Sequence, residues 1–330
     1  MTSAAQFCYD LLRTQGLLNQ AVLGSTSLGA SPPRDMIRPQ AAAIATLRPV
    51  ARIRGWNHGW VALDGLVSPR QELWGSLGLP PVVDRLLLPW HGETAIEVLA
   101  GDDLGRCVFV GGCYEPNEMW FARQSIDEGD AVLDVGAHHG AWTLALADMV
   151  GPAGSVVALE PFPETFEILS ENIRFNDIRN VVCLNVAALE EPLACRMETG
   201  GVGHSGLTRI ASTGGGQISA RTLDGIRREI DRRVAFVKLD IEGAELRALL
   251  GARRLLAEDR PVVVCEISDA ALSQCETDWR LITRLLEDAE YTIRWIDEET
   301  ASLRPSRDGS EYLIAVPKER TDLEARISHQ

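Results

Sequence analysis

No two of the seven cysteines form a C-x-x-C pair, and no histidine stands where a zinc ribbon would need one. An odd, scattered set, with members inside apolar runs such as VVCLN and VVVCEI, implies buried reduced thiols rather than a disulfide framework or zinc. Positive charge is also short. Against 47 Asp and Glu there are 32 Lys and Arg, a formal net charge of −15. That argues against non-specific binding to nucleic acids or anionic membranes, which needs basic patches. No apolar run reaches the length of a membrane span. The opening MTSAAQFCYDLLRTQGLLNQAV lacks the basic and then apolar regions of a secretory signal. These absences imply a cytoplasmic protein that binds neither nucleic acid nor membrane, and leave a small molecule or a second copy of the chain, as a homodimer, open as partner. What remains, 45% hydrophobic and 24% charged residues, is ordinary for a globular chain.

The chain changes character along its length. Residues 5–23 read as a helix, GASPPRD as a loop, and VARIRGWNHGWVALDG as strand material around a turn. Four of the eight tryptophans, Trp56, Trp60, Trp74 and Trp90, lie in this first part. Residues 1–105 are therefore expected to form a mixed α/β extension: a lid or acceptor-binding segment, or an oligomerisation arm. From there to residue 330 the rhythm is regular. AVLDVG, SVVALEP, VVCLNVAA, FVKLDIEG and PVVVCEIS read as apolar strands. AWTLALADMV, PETFEILSENIRFND, AELRALLGARRLLA and DWRLITRLLEDA read as the helices between and after them. Such alternation predicts βαβ units around a parallel sheet covered on both faces. YTIRWID and EYLIAVP are separated only by a polar loop, too short for a helical crossover, so they should pair antiparallel. Five parallel strands closed by an antiparallel hairpin resemble the class I, Rossmann-like sheet of S-adenosylmethionine-dependent methyltransferases.

The stretch AVLDVGAHHG, residues 131–140, breaks a strand at glycines and restarts as a helix, as nucleotide sites in α/β proteins do. A P-loop needs Lys-Ser/Thr after its last glycine, but Ala141-Trp142 follow. A dinucleotide fingerprint needs a middle glycine for the pyrophosphate, and His138 stands there. S-adenosylmethionine has no pyrophosphate. Its sulfonium and amino group suit an acidic neighbour, and Asp134 is expected in that role. Glu160, which ends the second strand 24 positions after Gly136, can accept hydrogen bonds from both ribose hydroxyls. NAD sites share that feature.

LDVGAHHGAWT, ALEPFPETFEIL, ARTLDGI, VKLDIEGAE and VVVCEI occur in this order, with Tyr114-Glu115-Pro116 ahead of them. Together they resemble the FkbM family of S-adenosylmethionine-dependent methyltransferases over roughly residues 110–270. The resemblance implies methylation of a hydroxyl on a natural product, such as a polyketide or sugar moiety. It departs from the family at His138-His139, where Asn-Ile is usual after Gly-Ala. The expected cofactor residues are Asp134, Gly136, Ala137, His138 and Gly140 of the loop, then Glu160, Pro161 and Phe162. Asn185 and Ala187 lie at the strand edge where an adenine would sit. Phe162 packs either on that adenine or on the sheet.

Methyl transfer to an alcohol gains from positioning and from loss of the hydroxyl proton. Lys238, Asp240 and Glu242 alternate in VKLDIEG, so as strand residues they should share one side. Lys238, inside an apolar strand, must find a carboxylate; a structural ion pair and a catalytic role both remain open. Asp240 and Glu242 are candidate bases at the ligand-binding edge of the sheet. With Glu266 they could instead hold Mg²⁺ through oxygen ligands. His204, in GGVGHSGLT, is a further candidate base. The expected activity is an O-methyltransferase. Alternatives are a carboxyl- or N-methyltransferase of the same fold, an NAD(P)-dependent oxidoreductase, or a catalytically silent binding protein.

Overall fold

A computed structural model of the chain describes residues 85–91, 94–99, 102–108, 114–198, 209–213, 218–297 and 302–323. Within them, parallel strands β3 (Ala131–Val135), β4 (Ser155–Leu159), β5 (Val181–Leu184), β10 (Val234–Leu239) and β11 (Val262–Glu266) form the body of the main sheet. Two further strands, β12 (Tyr291–Ile296) and β14 (Tyr312–Pro317), and the two-residue β13 (Leu303–Arg304) complete it. The order is β13-β12-β14-β11-β10-β3-β4-β5. Strand β14 slots between β11 and β12 and pairs antiparallel with both. The expected hairpin is present, but β14 alone of its two long strands runs against the parallel strands.

Alternation explains why the strands read as unbroken apolar runs. Val132, Phe236, Val262 and Val264 face one core layer. Leu133, Val135, Val237, Leu239, Val263 and Cys265 face the other. Side chains alternate across a strand, so a sheet covered on both faces needs apolar residues at every position. Helices α3 (Ala141–Val150) and α4 (Pro163–Phe175) cover the first face; α6 (Glu245–Leu250) and α8 (Trp279–Asp288) cover the second.

Two expected elements are corrected. VVCLNVAA does not continue as one strand: β5 stops at Leu184, and Ala187–Ala188 (β6) joins a second sheet with β7 (Ala194–Glu198), β8 (Arg209–Thr213) and β9 (Ile218–Arg221). AELRALLGARRLLA breaks after Leu250, because Gly251 packs on Leu189; a Cβ there would lie 2.3 Å from the Leu189 carbonyl oxygen. Two further strands precede the expected domain boundary at residue 105. Strands β1 (Arg85–Pro89) and β2 (Ala95–Leu99) form a separate antiparallel pair. Asn172 on α4 reads the edge of β2: its Oδ1 accepts from the Glu97 N–H at 2.7 Å and its Nδ2 donates to the Glu97 carbonyl at 2.9 Å. Asn176, one turn later, does the same at Ala95. Leu88, Trp90, Ile96, Val98, Leu104 and Val108 belong to the first core layer. A cut at 105 would therefore pass through packed core. Trp56, Trp60 and Trp74, the expected helix at 5–23 and the expected strands around VARIRGWNHGWVALDG lie outside the described residues.

Candidate active site

A cavity of about 210 Å³ opens at the carboxyl ends of β3, β4, β10 and β11. Its first half is built by backbone. β3 ends at Val135, and the N–H groups of Gly136 and Ala137 both donate to the Leu159 carbonyl, at 3.0 and 2.9 Å. Gly136 has φ +85°, and a Cβ there would fall 1.7 Å from the Asp240 carbonyl oxygen, so close backbone approach requires glycine. His138 follows at φ +49°. Its N–H donates to Glu160 Oε2 at 2.9 Å, and the Phe162 N–H donates to Glu160 Oε1 at 2.9 Å. Burial pushes the Glu160 carboxyl up to about 7, against those two N–H bonds. A carboxylate has about four acceptor sites, so two stay open for a ligand.

The second half is built by side chains around Lys238, which is 4% exposed. Its ammonium donates to the Gly136 carbonyl at 2.9 Å and lies 3.1 Å from Asp240 Oδ2 and 3.8 Å from Asp134 Oδ1. Burial opposes that charge, but Asp240, Asp134 and Glu115 outweigh it and hold the ammonium above its usual range. Burial likewise opposes ionisation of Asp240, yet Lys238 and a hydrogen bond with Glu266 bring its carboxyl below the ordinary range. Burial and the Asp240 charge push Glu266 well up, so Glu266 carries the proton of that bond. Glu242, at φ +52°, and Tyr114 complete this half of the lining. Behind the wall, Glu115 sits at φ +42° and accepts from Trp142 Nε1 at 2.6 Å. The left-handed residues Glu115, His138 and Glu242 thus surround one cavity. Each costs on the order of 1 kcal/mol, a concentration of strain typical of functional sites.

The structure brings together Gly136, Ala137, His138, Glu160, Pro161, Ala187, Lys238, Asp240, Glu242 and Glu266 as cavity lining. Four expected residues stand elsewhere. Asp134 is fully buried and does not line the cavity. Its position shares a sheet face with Val132, so its carboxylate points beneath α3 and accepts from Thr143 Oγ1 at 2.6 Å. Gly140 caps α3 at φ +93°. Phe162 contributes its N–H rather than its ring to the wall. Asn185 is exposed and donates to the carbonyls of Glu160 and Pro161, buttressing that corner from outside. His204 lies outside the described residues. Glu242 is neither in the strand nor at the helix start: β10 ends at Leu239 and α6 begins at Glu245. Sequence reasoning missed Asp102, Leu104, Trp142 and Met197 as lining residues. Met197 arrives from the second sheet, for which no motif existed.

Carboxyl oxygens of Asp240, Glu242 and Glu266 come within 4.8 Å of one another. They would offer oxygen ligands to a Mg²⁺ ion, but the Lys238 ammonium already stands beside Asp240, 3.1 Å from its Oδ2. Asp102, His138 and His139 also cluster, but the two rings stack at 3.9 Å and 20°, so their in-plane lone pairs run side by side instead of converging. Trp90 is 4% exposed and donates to the Ala141 carbonyl at 2.8 Å, a core role in place of the expected acceptor contact. No helix of the described residues is long and apolar enough to cross a membrane.

The Methyltransferase FkbM domain family model matches residues 134–293. No curated protein sequence matches the chain. Among solved structures, the chain is similar to methyltransferase FkbM from Methylobacillus flagellatus, at 20% identity and TM-score 0.39, covering 58% of this chain and 47% of that one. The match thus spans about half the length of that protein. It is also similar to Aeropyrum pernix fibrillarin with natively bound S-adenosyl-L-methionine, at 15% identity and TM-score 0.37, covering 72% of this chain and 84% of that one. A putative rRNA-methylase from Clostridium thermocellum matches at 14% identity and TM-score 0.39, covering 65% and 93%.

Proposed function

Because residues 134–293 match the Methyltransferase FkbM domain model, we propose that the chain transfers the methyl group of S-adenosylmethionine to a hydroxyl of a small molecule, such as a polyketide or a sugar moiety. The observation that carries this reading is Asp240: a carboxylate kept ionised by Lys238 at 3.1 Å, on the wall of a cavity whose opposite half ends in Glu160.

The lining fits that cofactor. Among the described residues, six acidic side chains and one lysine line the cavity, and the lysine is already paired. Such a surplus of negative charge suits a sulfonium and offers nothing to a pyrophosphate. Glu160 has acceptor capacity for ribose hydroxyls. Val186, Ala187 and Ala188 supply apolar surface beside it. When bound, S-adenosylmethionine supplies an electrophilic methyl carbon on positively charged sulfur. Asp240 would accept the proton of the acceptor hydroxyl as its oxygen gained the methyl group, the carbon–sulfur bond broke and S-adenosylhomocysteine left. Lys238 keeps Asp240 ionised and oriented, and the protonated Glu266 fixes its carboxylate from the far side. Asp102 and Leu104 line the cavity beside the loop at 136–138, with Asp102 Oδ2 3.7 Å from His138 Nε2.

Calorimetric titration tests the reading. S-adenosylhomocysteine should bind at micromolar concentration and NAD should not. Binding of NAD without binding of S-adenosylhomocysteine would overturn it. Methyl transfer to amines or carboxylates, with none to hydroxyls, would move the activity within the family fold.

A further inference from the structure

Asp240 and Glu242 reach the cavity from a turn, not from the strand. The Asp240 N–H still donates to the Val135 carbonyl at 3.1 Å, so the chain leaves the sheet only after it. Glu242 and Gly243 then take φ +52° and +99°. Two consecutive left-handed residues, one of them a glutamate, need a partner to hold them. The partner is Glu245. Its Oε1 accepts from the Ile241 N–H and the Gly243 N–H, both at 3.1 Å, and so grips the turn on either side of Glu242. Gly243 is wedged against the Ala271 carbonyl, 2.5 Å from where a Cβ would sit, so the turn cannot relax by moving outward. A glutamate in the first turn of a helix ordinarily faces water. Glu245 is 2% exposed, and its Oε2 has no hydrogen-bond partner. A carboxylate held in that setting costs free energy, and the two N–H bonds are what it returns.

We propose that Glu245 is a positioning residue of the acceptor half of the cavity: its carboxylate holds the turn at 240–243 in the conformation that turns Asp240 and Glu242 toward the acceptor. This rests on the methyl-transfer reading for its purpose but not for its test, which uses the ligand-free full-length protein. Amide exchange by NMR is compared in wild type, Glu245→Gln, Glu245→Asp and Glu245→Ala, with the Asp240 side-chain carboxyl followed by ¹³C titration. The glutamine keeps an acceptor oxygen at the same reach; the aspartate keeps the charge but is one methylene short. The Ile241 and Gly243 amides should exchange about tenfold faster in the Ala and Asp variants, as loss of one hydrogen bond predicts, and unchanged in the Gln variant. The Asp240 titration midpoint should move in the same two variants only. The affinity for S-adenosylhomocysteine, measured separately, should stay within about threefold throughout, since neither the loop at 136–138 nor Glu160 is substituted. If the Ala variant fails to fold, the Asp and Gln variants give the same contrast. Equal exchange in all folded variants, an unmoved Asp240 midpoint, or a loss of S-adenosylhomocysteine affinity beyond tenfold in the Asp variant overturns the proposal. Failure of wild type to bind S-adenosylhomocysteine would overturn the function while leaving the exchange pattern intact.

Discussion

The two halves of the cavity are built by different means. At the ends of β3 and β4, backbone amides of 136–138 and 162 set the geometry, and one carboxylate, Glu160, gathers them. At the ends of β10 and β11, buried charged side chains set it, centred on Lys238. A backbone-built site survives substitution of most side chains around it. A charge-built site fails when one ion is removed, because the partner stays buried and unpaired. Replacing Lys238 by Met should therefore have the largest effect on the molecule. With Asp134 and Asp240 left without their cation, urea unfolding should show a loss of about 3–5 kcal/mol. A loss below about 1 kcal/mol would mean that the two halves do not differ in this way.

Asp240→Asn tests the functional side of the contrast. It keeps the side-chain shape but removes the proton acceptor, so transfer to a hydroxyl acceptor should fall by about 100-fold or more. The affinity for S-adenosylhomocysteine, which depends on the other half, should be unchanged. Equal loss of both quantities would show one coupled site in place of two halves.

The next effect is a pH dependence of the backbone-built half. Glu160 titrates at about 7, raised by burial from 4.5. Its ionised form is acceptor-only and suits ribose hydroxyls, so affinity for S-adenosylhomocysteine should rise with pH through about 7 by roughly tenfold. Glu160→Gln should flatten the profile. The sign for stability is opposite. A carboxyl raised in the fold favours its protonated form there, so this group withdraws stability as pH climbs from 4.5 to about 7. A bell or a falling profile in calorimetry would remove Glu160 from the ribose site.

The smallest effect concerns the segment at 85–108. Trp90→Phe removes the indole donor to the Ala141 carbonyl at the start of α3. A cost of about 1–2 kcal/mol in unfolding free energy is expected, with S-adenosylhomocysteine affinity little changed. A selective rise in an acceptor KM without loss of stability would restore the expected acceptor-binding role for this tryptophan.

The sequence by itself determined the parallel sheet, because apolar strands and amphipathic helices alternate at lengths that only βαβ units satisfy. It determined the glycine loop and Glu160, since these act through backbone geometry and strand-end position, which local residue types announce. It also marked Lys238 as paired, because no apolar strand buries a lone ammonium. The tertiary structure alone decided the rest. Asp134 points beneath α3 because a register match with Lys238 outweighs proximity to the loop. Glu266 carries a proton because Asp240 competes for the one available cation. Trp90 belongs to the core because Asn172 and Asn176, some 80 residues away, draw β2 onto α4. Met197 enters the cavity from a sheet that begins only where β5 breaks. Each of these is a competition between groups distant in the chain, and its winner depends on distances and burial that no local pattern encodes.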